Sequence, residues 1–324
     1  MNAFRRQLFA LDLPPLACYL VLLVLSAGGG PWPLMLLLVL VHLGLNRFGR
    51  MHAALLRDGR PIPPWLGIVN TSYLLSPMFL LPIAFLSMGE VMRNAGLVPP
   101  PDAAPGVPYD PDHANGRGLD LGPHGAATNW DLRLKALDVR LFGAYPTAWV
   151  RRWHAPWLTG LMQLGYLSYY FAPAALCVPL LVARRRADFR VAAATLAACV
   201  VTTYFGYLLV PATGPRFEGG IEAMLPAEPG WFHAEAIYRF LDGLEIFRWN
   251  AFPSGHAAVG LCALLLAFRL ERRLAWVLLL PVILLVGATV YMGYHYVVDV
   301  VAGLVIAAIV ARCVPAFVLW WDDG

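Results

Sequence analysis

Eight apolar stretches, at about residues 10–27, 31–46, 65–88, 157–183, 190–210, 254–270, 274–293 and 297–319, leave this chain little room for a water-soluble fold. A helix needs ~20 predominantly apolar residues to cross the ~30 Å hydrocarbon core of a bilayer, and the first two stretches are short for that task. Composition points the same way. The chain is 59% hydrophobic and 14% charged, with mean hydropathy +0.62. That is more apolar side chain than the cores of two soluble domains usually hold. The same figures exclude disorder, collagen and a disulfide scaffold. The expected fold is all-α: a polytopic transmembrane bundle of about eight spans, with interfacial helices in a long outer loop.

Gly28, Gly29, Gly30, Pro31 and Pro33 separate the first two stretches and are turn residues rather than helix interior. The reading is a tight hairpin; a cleavable signal sequence behind Arg5 and Arg6 is the alternative. Residues 1–64 then form an N-terminal hairpin with a cytoplasmic loop, and 65–320 a membrane domain whose outer loop is 89–156. Within that loop, 98–128 is rich in Pro, Gly and Asp and reads as irregular. Trp130 to Trp157 mixes charge with apolar residues at helical spacing, as one or two amphipathic helices on a membrane surface do.

Arginine placement orients the bundle. The N-terminus and the loops 47–64, 184–190 and 270–273, with their flanks, hold thirteen arginines against Asp12, Asp58, Asp188 and Glu271. The positive-inside rule puts that side in the cytoplasm and the large loops outside. The net charge of +4 follows from this partition, and no basic patch with interleaved aromatics points to nucleic acid. Cys18, Cys177, Cys199, Cys262 and Cys313 each lie in an apolar run, with no metal-ligand spacing.

Arg216, His256, His295 and Asp299 all fall at the outer ends of spans, and ionisable groups near a membrane interior are functional candidates. His295 and Asp299 are spaced i,i+4, which on a helix lets the carboxylate reach the imidazole, fix its tautomer and leave the other nitrogen as a nucleophile. A structural His–Asp bond between helices fits the same spacing. His256 follows Pro253, Ser254 and Gly255 at a helix start. Ser254 suits the cap and Gly255 a close backbone approach, and a helix N-terminus can hold phosphate. His256 could then act as a general acid. An ordinary capped helix is the alternative. Arg216 could grip two phosphate oxygens or snorkel toward headgroups.

In order, Pro253-Ser-Gly-His256 and His295-Tyr-Val-Val-Asp299 resemble the type 2 phosphatidic acid phosphatase superfamily. With Leu137–Gly143, Tyr204–Pro211 and Tyr291–Asp299, the resemblance narrows to the branch containing the inositol phosphorylceramide synthases. It covers about residues 130–310 and implies a six-helix core. It further implies His295 as nucleophile, Asp299 orienting it, His256 as leaving-group acid, and Ser254, Gly255 and Arg216 around the phosphate, without a metal or other cofactor. Leu209, Ala288 and Thr289 stand where the phosphatases carry a lysine and a Ser-Arg pair. The loss of two cations favours a phosphodiester monoanion over a monoester dianion.

The leading expectation is a lipid phosphotransferase of a bacterial inner membrane, with its site on the non-cytoplasmic face. It would move a headgroup from a phospholipid donor to a lipid or sugar hydroxyl, and the resemblance implies phosphoinositol. A lipid phosphate phosphatase uses the same residues with water as acceptor. A transporter or flippase, and a metalloenzyme built on His256, His295 and Asp299, are the further alternatives.

Overall fold

A backbone in hydrocarbon must satisfy its own hydrogen bonds, and this chain does so with helices. The computed structural model describes residues 9–27, 30–98, 130–215, 231, 236–237, 240 and 249–323. The described residues are 84% helix, with no strand among them. The helices are α1 (Leu13–Leu25, entered by a 3-10 turn at Ala10–Asp12), α2 (Trp32–Arg57), α3 (Pro64–Asn94), α4 (Trp130–Phe142) and α5 (Pro146–Val150). They continue with α6 (Pro156–Val182), α7 (Arg186–Leu209), α8 (Gly255–Leu270), α9 (Arg272–Tyr291) and α10 (Val297–Asp323). Each apolar stretch is a helix. Six are long and apolar enough to cross a membrane, whereas Ala10–Leu25 and Gly255–Leu270 are shorter.

The second stretch ends later than its hydropathy indicates. Residues 47–57, read as loop, continue α2 to Arg57. The reason is that its inward face is polar: His42, Asn46 and His52 are buried while Leu36, Leu37 and Leu40 are exposed. Buried Asp12 is the centre of this packing. Its Oδ1 lies 3.0 Å from His42 Nε2 and accepts from the Tyr73 hydroxyl at 2.9 Å. Its Oδ2 accepts from Asn46 Nδ2 at 2.6 Å and from the Phe9 N–H at 2.7 Å.

The core gathers around α8, which packs against α6, α7, α9 and α10. Its small residues Ala257, Ala258, Ala263 and Ala267 are fully buried and allow four neighbours to approach. The α1–α2 hairpin and α3 add a second cluster on α7, where Leu22, Met35 and Met88 meet Val201 and Tyr204. Large exposed aromatics mark both ends of the bundle. Trp32 and Trp157 open helices at one end; Trp65 and Trp276 open helices, and Trp320 closes one, at the other. This is the distribution of residues that sit at two membrane–water interfaces.

At the arginine-rich end, Arg185 ties α7 to the α8–α9 turn. It pairs with Asp188 at 2.8 Å and Glu271 at 3.2 Å, and donates to the Leu270 carbonyl at 3.0 Å. At the opposite end, α7 and α9 terminate and α8 and α10 begin, so the segments 210–215, 249–254 and 292–296 converge there.

Candidate active site

Three loop segments meet at this end, and backbone hydrogen bonds lace them together. The Ala251 N–H donates to the Ala212 carbonyl, and the Ser254 N–H to the Asp299 carbonyl, both at 2.9 Å. The N–H groups of Tyr294 and His295 both donate to the Thr289 carbonyl at 3.0 Å. Gly214 has φ +87°, and a Cβ there would strike the Tyr294 carbonyl oxygen, so only glycine lets the first loop lie against the third.

His295 is 3% exposed, and its Nδ1 lies 2.7 Å from the Ala251 carbonyl. A carbonyl oxygen only accepts, so Nδ1 carries the proton and Nε2 carries the lone pair. This corrects the expectation that Asp299 fixes the tautomer by reaching the ring. Asp299 Oδ2 stands 3.8 Å from Nδ1, beyond hydrogen-bond range, and accepts instead from the Tyr296 N–H at 2.9 Å. The reason is local. Helix α10 starts at Val297, so His295 lies before it, and i,i+4 spacing does not put the two side chains on one helical face. Asp299 is fully buried, and its Oδ1 accepts no hydrogen bond from the described residues.

Ser254 is the N-cap of α8, its hydroxyl accepting from the Ala257 N–H at 3.3 Å. The missing side chain of Gly255 makes room for the Tyr207 hydroxyl. His256, half-buried, follows one residue into the helix. Its ring centre lies 5.9 Å from that of His295, so the two histidines do come together. The His256 ring is flanked by Tyr166 and Tyr169, with centres 4.4 Å and 4.3 Å away, and its Nδ1 is 3.3 Å from the Tyr166 hydroxyl. Tyr166 in turn stacks on Tyr294 at 4.4 Å. Arg216, Arg5, Arg6 and the stretch 98–128 beyond Val98 lie outside the described residues.

Two carboxylates that sequence reasoning passed over reach this platform from α4. Asp138 is fully buried and accepts from the N–H groups of Val297 and Val298, each at 2.9 Å. Burial pushes its pKa above the ordinary carboxylate value, and the two N–H bonds pull against that shift. Asp131 accepts from the N–H groups of Thr213 at 3.0 Å and Gly214 at 2.8 Å, and from the Tyr296 hydroxyl at 3.3 Å. Their i,i+7 spacing was the available signal, since it places both acids on one helical face. Tyr166 and Tyr169, three apart in an apolar span, were a second.

At the positions where cations were expected and not found, Leu209 is 75% exposed. Ala288 and Thr289 are fully buried, and Thr289 Oγ1 donates to the Val286 carbonyl of its own helix. No three His, Cys, Asp or Glu side chains among the described residues are grouped to hold a metal ion.

These features define a helical membrane protein that brings two histidines together at one end of its bundle. A sequence profile of the PAP2 superfamily matches residues 133–313, more than half of the chain, and the chain belongs to that superfamily. Its members are generally phosphatases or phosphotransferases. No curated protein and no solved structure shows significant similarity to the chain.

Proposed function

We propose that the protein is a lipid phosphotransferase with His295 as nucleophile and His256 as general acid and base. The observation that carries this reading is the Ala251–His295 bond, which puts the proton on Nδ1 and makes Nε2 the basic nitrogen of a ring 5.9 Å from that of His256. A nucleophile ~3–3.5 Å from phosphorus and an acid within hydrogen-bond reach of the leaving oxygen on the far side must stand several ångströms apart, as these two rings do. His295 Nε2 attacks the phosphorus of a phospholipid diester, the bond to the diacylglycerol oxygen breaks, and His256 gives that oxygen its proton. A lipid or sugar hydroxyl then gives its proton to His256 and attacks the phosphohistidine. The P–N bond breaks and His295 returns to its starting form.

A diester donor suits a site in which Leu209, Ala288 and Thr289 replace three residues of the phosphatases, two of them cations. A singly charged diester needs less positive charge than a monoester dianion. The resemblance to the inositol phosphorylceramide synthase branch supports phosphoinositol as the transferred group. Arginine placement supports a site on the non-cytoplasmic face, and the family resemblance supports Ser254, Gly255 and Arg216 as the residues that bind the phosphate.

The test uses purified protein in vesicles containing headgroup-labelled phosphatidylinositol and a lipid or sugar hydroxyl acceptor. Transfer predicts label in a new product and an acid-labile phosphoenzyme. Both vanish in His295→Ala. Label released as free inositol phosphate would mean hydrolysis instead, and full transfer by His295→Ala would refute the mechanism.

A further inference from the structure

Helix α4 turns two of its acids inward. Its inward stripe is Asp131, Leu134 and Asp138, and Asp138 is fully buried. Its outward surface carries Leu132, Leu137, Val139, Leu141 and Phe142, all more than 40% exposed, beside exposed Arg133 and Arg140. Beneath it, Leu134 joins a small core with Ala212, Ala251, Tyr296 and Val298, one or more residues from each of the three segments that build the site. The helix therefore covers the platform and grips it with its acids.

That grip falls on the start of α10. The first N–H groups of a helix have no partner within it and are satisfied from outside. Here Tyr296 donates to Asp299, while Val297 and Val298 both donate to Asp138. Asp138 alone thus fixes the two residues that follow the His295–Tyr296 pair, from a helix 159 residues away in sequence. Asp131 does the corresponding work one loop away, joining Thr213 and Gly214 to the Tyr296 hydroxyl.

We propose that Asp138 is a positioning residue for the reaction, with Asp131 as its partner, so that α4 is part of the catalytic apparatus rather than a surface anchor. Neither acid needs to touch substrate. They hold His295 in register with Ala251 and His256, and this inference rests on the histidine mechanism above. Misplacing a reacting group by ~1 Å can cost ~10²-fold in rate.

The experiment compares Asp138→Asn, Asp138→Glu and His295→Ala in vesicles, with rates expressed per folded molecule by size-exclusion chromatography. Val297 and Val298 bond different oxygens of Asp138, so an asparagine in the same place turns its NH2 toward one of these two N–H donors. We expect Asp138→Asn to lower kcat by ~10²-fold with KM within about threefold, and Asp138→Glu to restore part of that loss. If both variants show wild-type kcat per folded molecule while His295→Ala is inactive, the positioning role is refuted and the histidine mechanism stands. If His295→Ala retains activity, the mechanism itself fails. If activity falls only in proportion to folded protein, Asp138 is a fold-stabilising cap and the proposal is wrong.

Discussion

The Ala251 carbonyl, not the Asp299 carboxylate, is the hydrogen-bond partner that sets the His295 tautomer, at 2.7 Å against 3.8 Å. A tautomer held by a backbone atom survives changes to the acid beside it. In a histidine–carboxylate pair where the carboxylate holds the tautomer, replacing it by its amide costs ~10⁴-fold. Asp299→Asn should therefore cost less, about 10- to 100-fold in kcat, through loss of the negative charge near a ring that becomes cationic. Steady-state kinetics of Asp299→Asn beside His295→Ala checks this, and equal losses in the two variants would contradict it.

Gly214 has a positive φ and lies against the Tyr294 carbonyl. Gly214→Ala must both adopt a left-handed conformation, at about 1–2 kcal/mol, and displace the His295 loop. Transfer activity should drop by at least ~10-fold, with a lower Tm. Thermal unfolding and initial rates on the same preparation report both effects; a fully active variant would show that the two loops move independently.

At the arginine-rich end, removing the Asp12 carboxylate leaves His42, Asn46, Tyr73 and the Phe9 N–H without a shared acceptor. Breaking such a buried polar group costs about 3–5 kcal/mol. Asp12→Ala should greatly reduce the yield of folded protein or its Tm, while kcat of the folded fraction stays near wild type. Loss of turnover at unchanged Tm would mean that this cluster reaches the active site.

Asp138 is predicted to leave a signature in the pH dependence of stability. Its pKa is raised by burial, so the folded state binds its proton more tightly than the unfolded chain does. Its stabilising contribution is complete below the unfolded value of ~3.9 and is lost as pH rises through the folded pKa. Tm of the wild type should accordingly decline relative to Asp138→Asn as pH is raised from ~4. Parallel curves would show that the N–H bonds from Val297 and Val298 cancel the burial effect.

Hydropathy found the helices because lipid-facing residues must be apolar, and it faltered where that rule turns inward. Residues 47–57 read as a loop because α2 there buries His52 and leaves charged side chains near the helix end. Local chemistry gave the α8 start correctly, since Ser254 caps the helix that its sequence neighbours announce. The His295–Asp299 spacing misled because it presumed a helix that begins two residues too late. Ala251 could not be read at all, as its contribution is a backbone carbonyl. Asp131 and Asp138 looked like ordinary charges on a surface helix, and only the tertiary arrangement makes that face the inner one.

The Ala10 N–H donates at 3.0 Å to Asp322, which also pairs with Arg190 at 3.3 Å. The two bonded residues stand 312 positions apart in a chain of 324. During synthesis the first helices enter the membrane long before their last partner exists. The 3-10 turn that carries Asp12 must therefore wait, its acid met only by its own hairpin and Tyr73, until the final helix is delivered. Joining of the Ala10–Asp12 turn to the last helix is thus a late event in biogenesis.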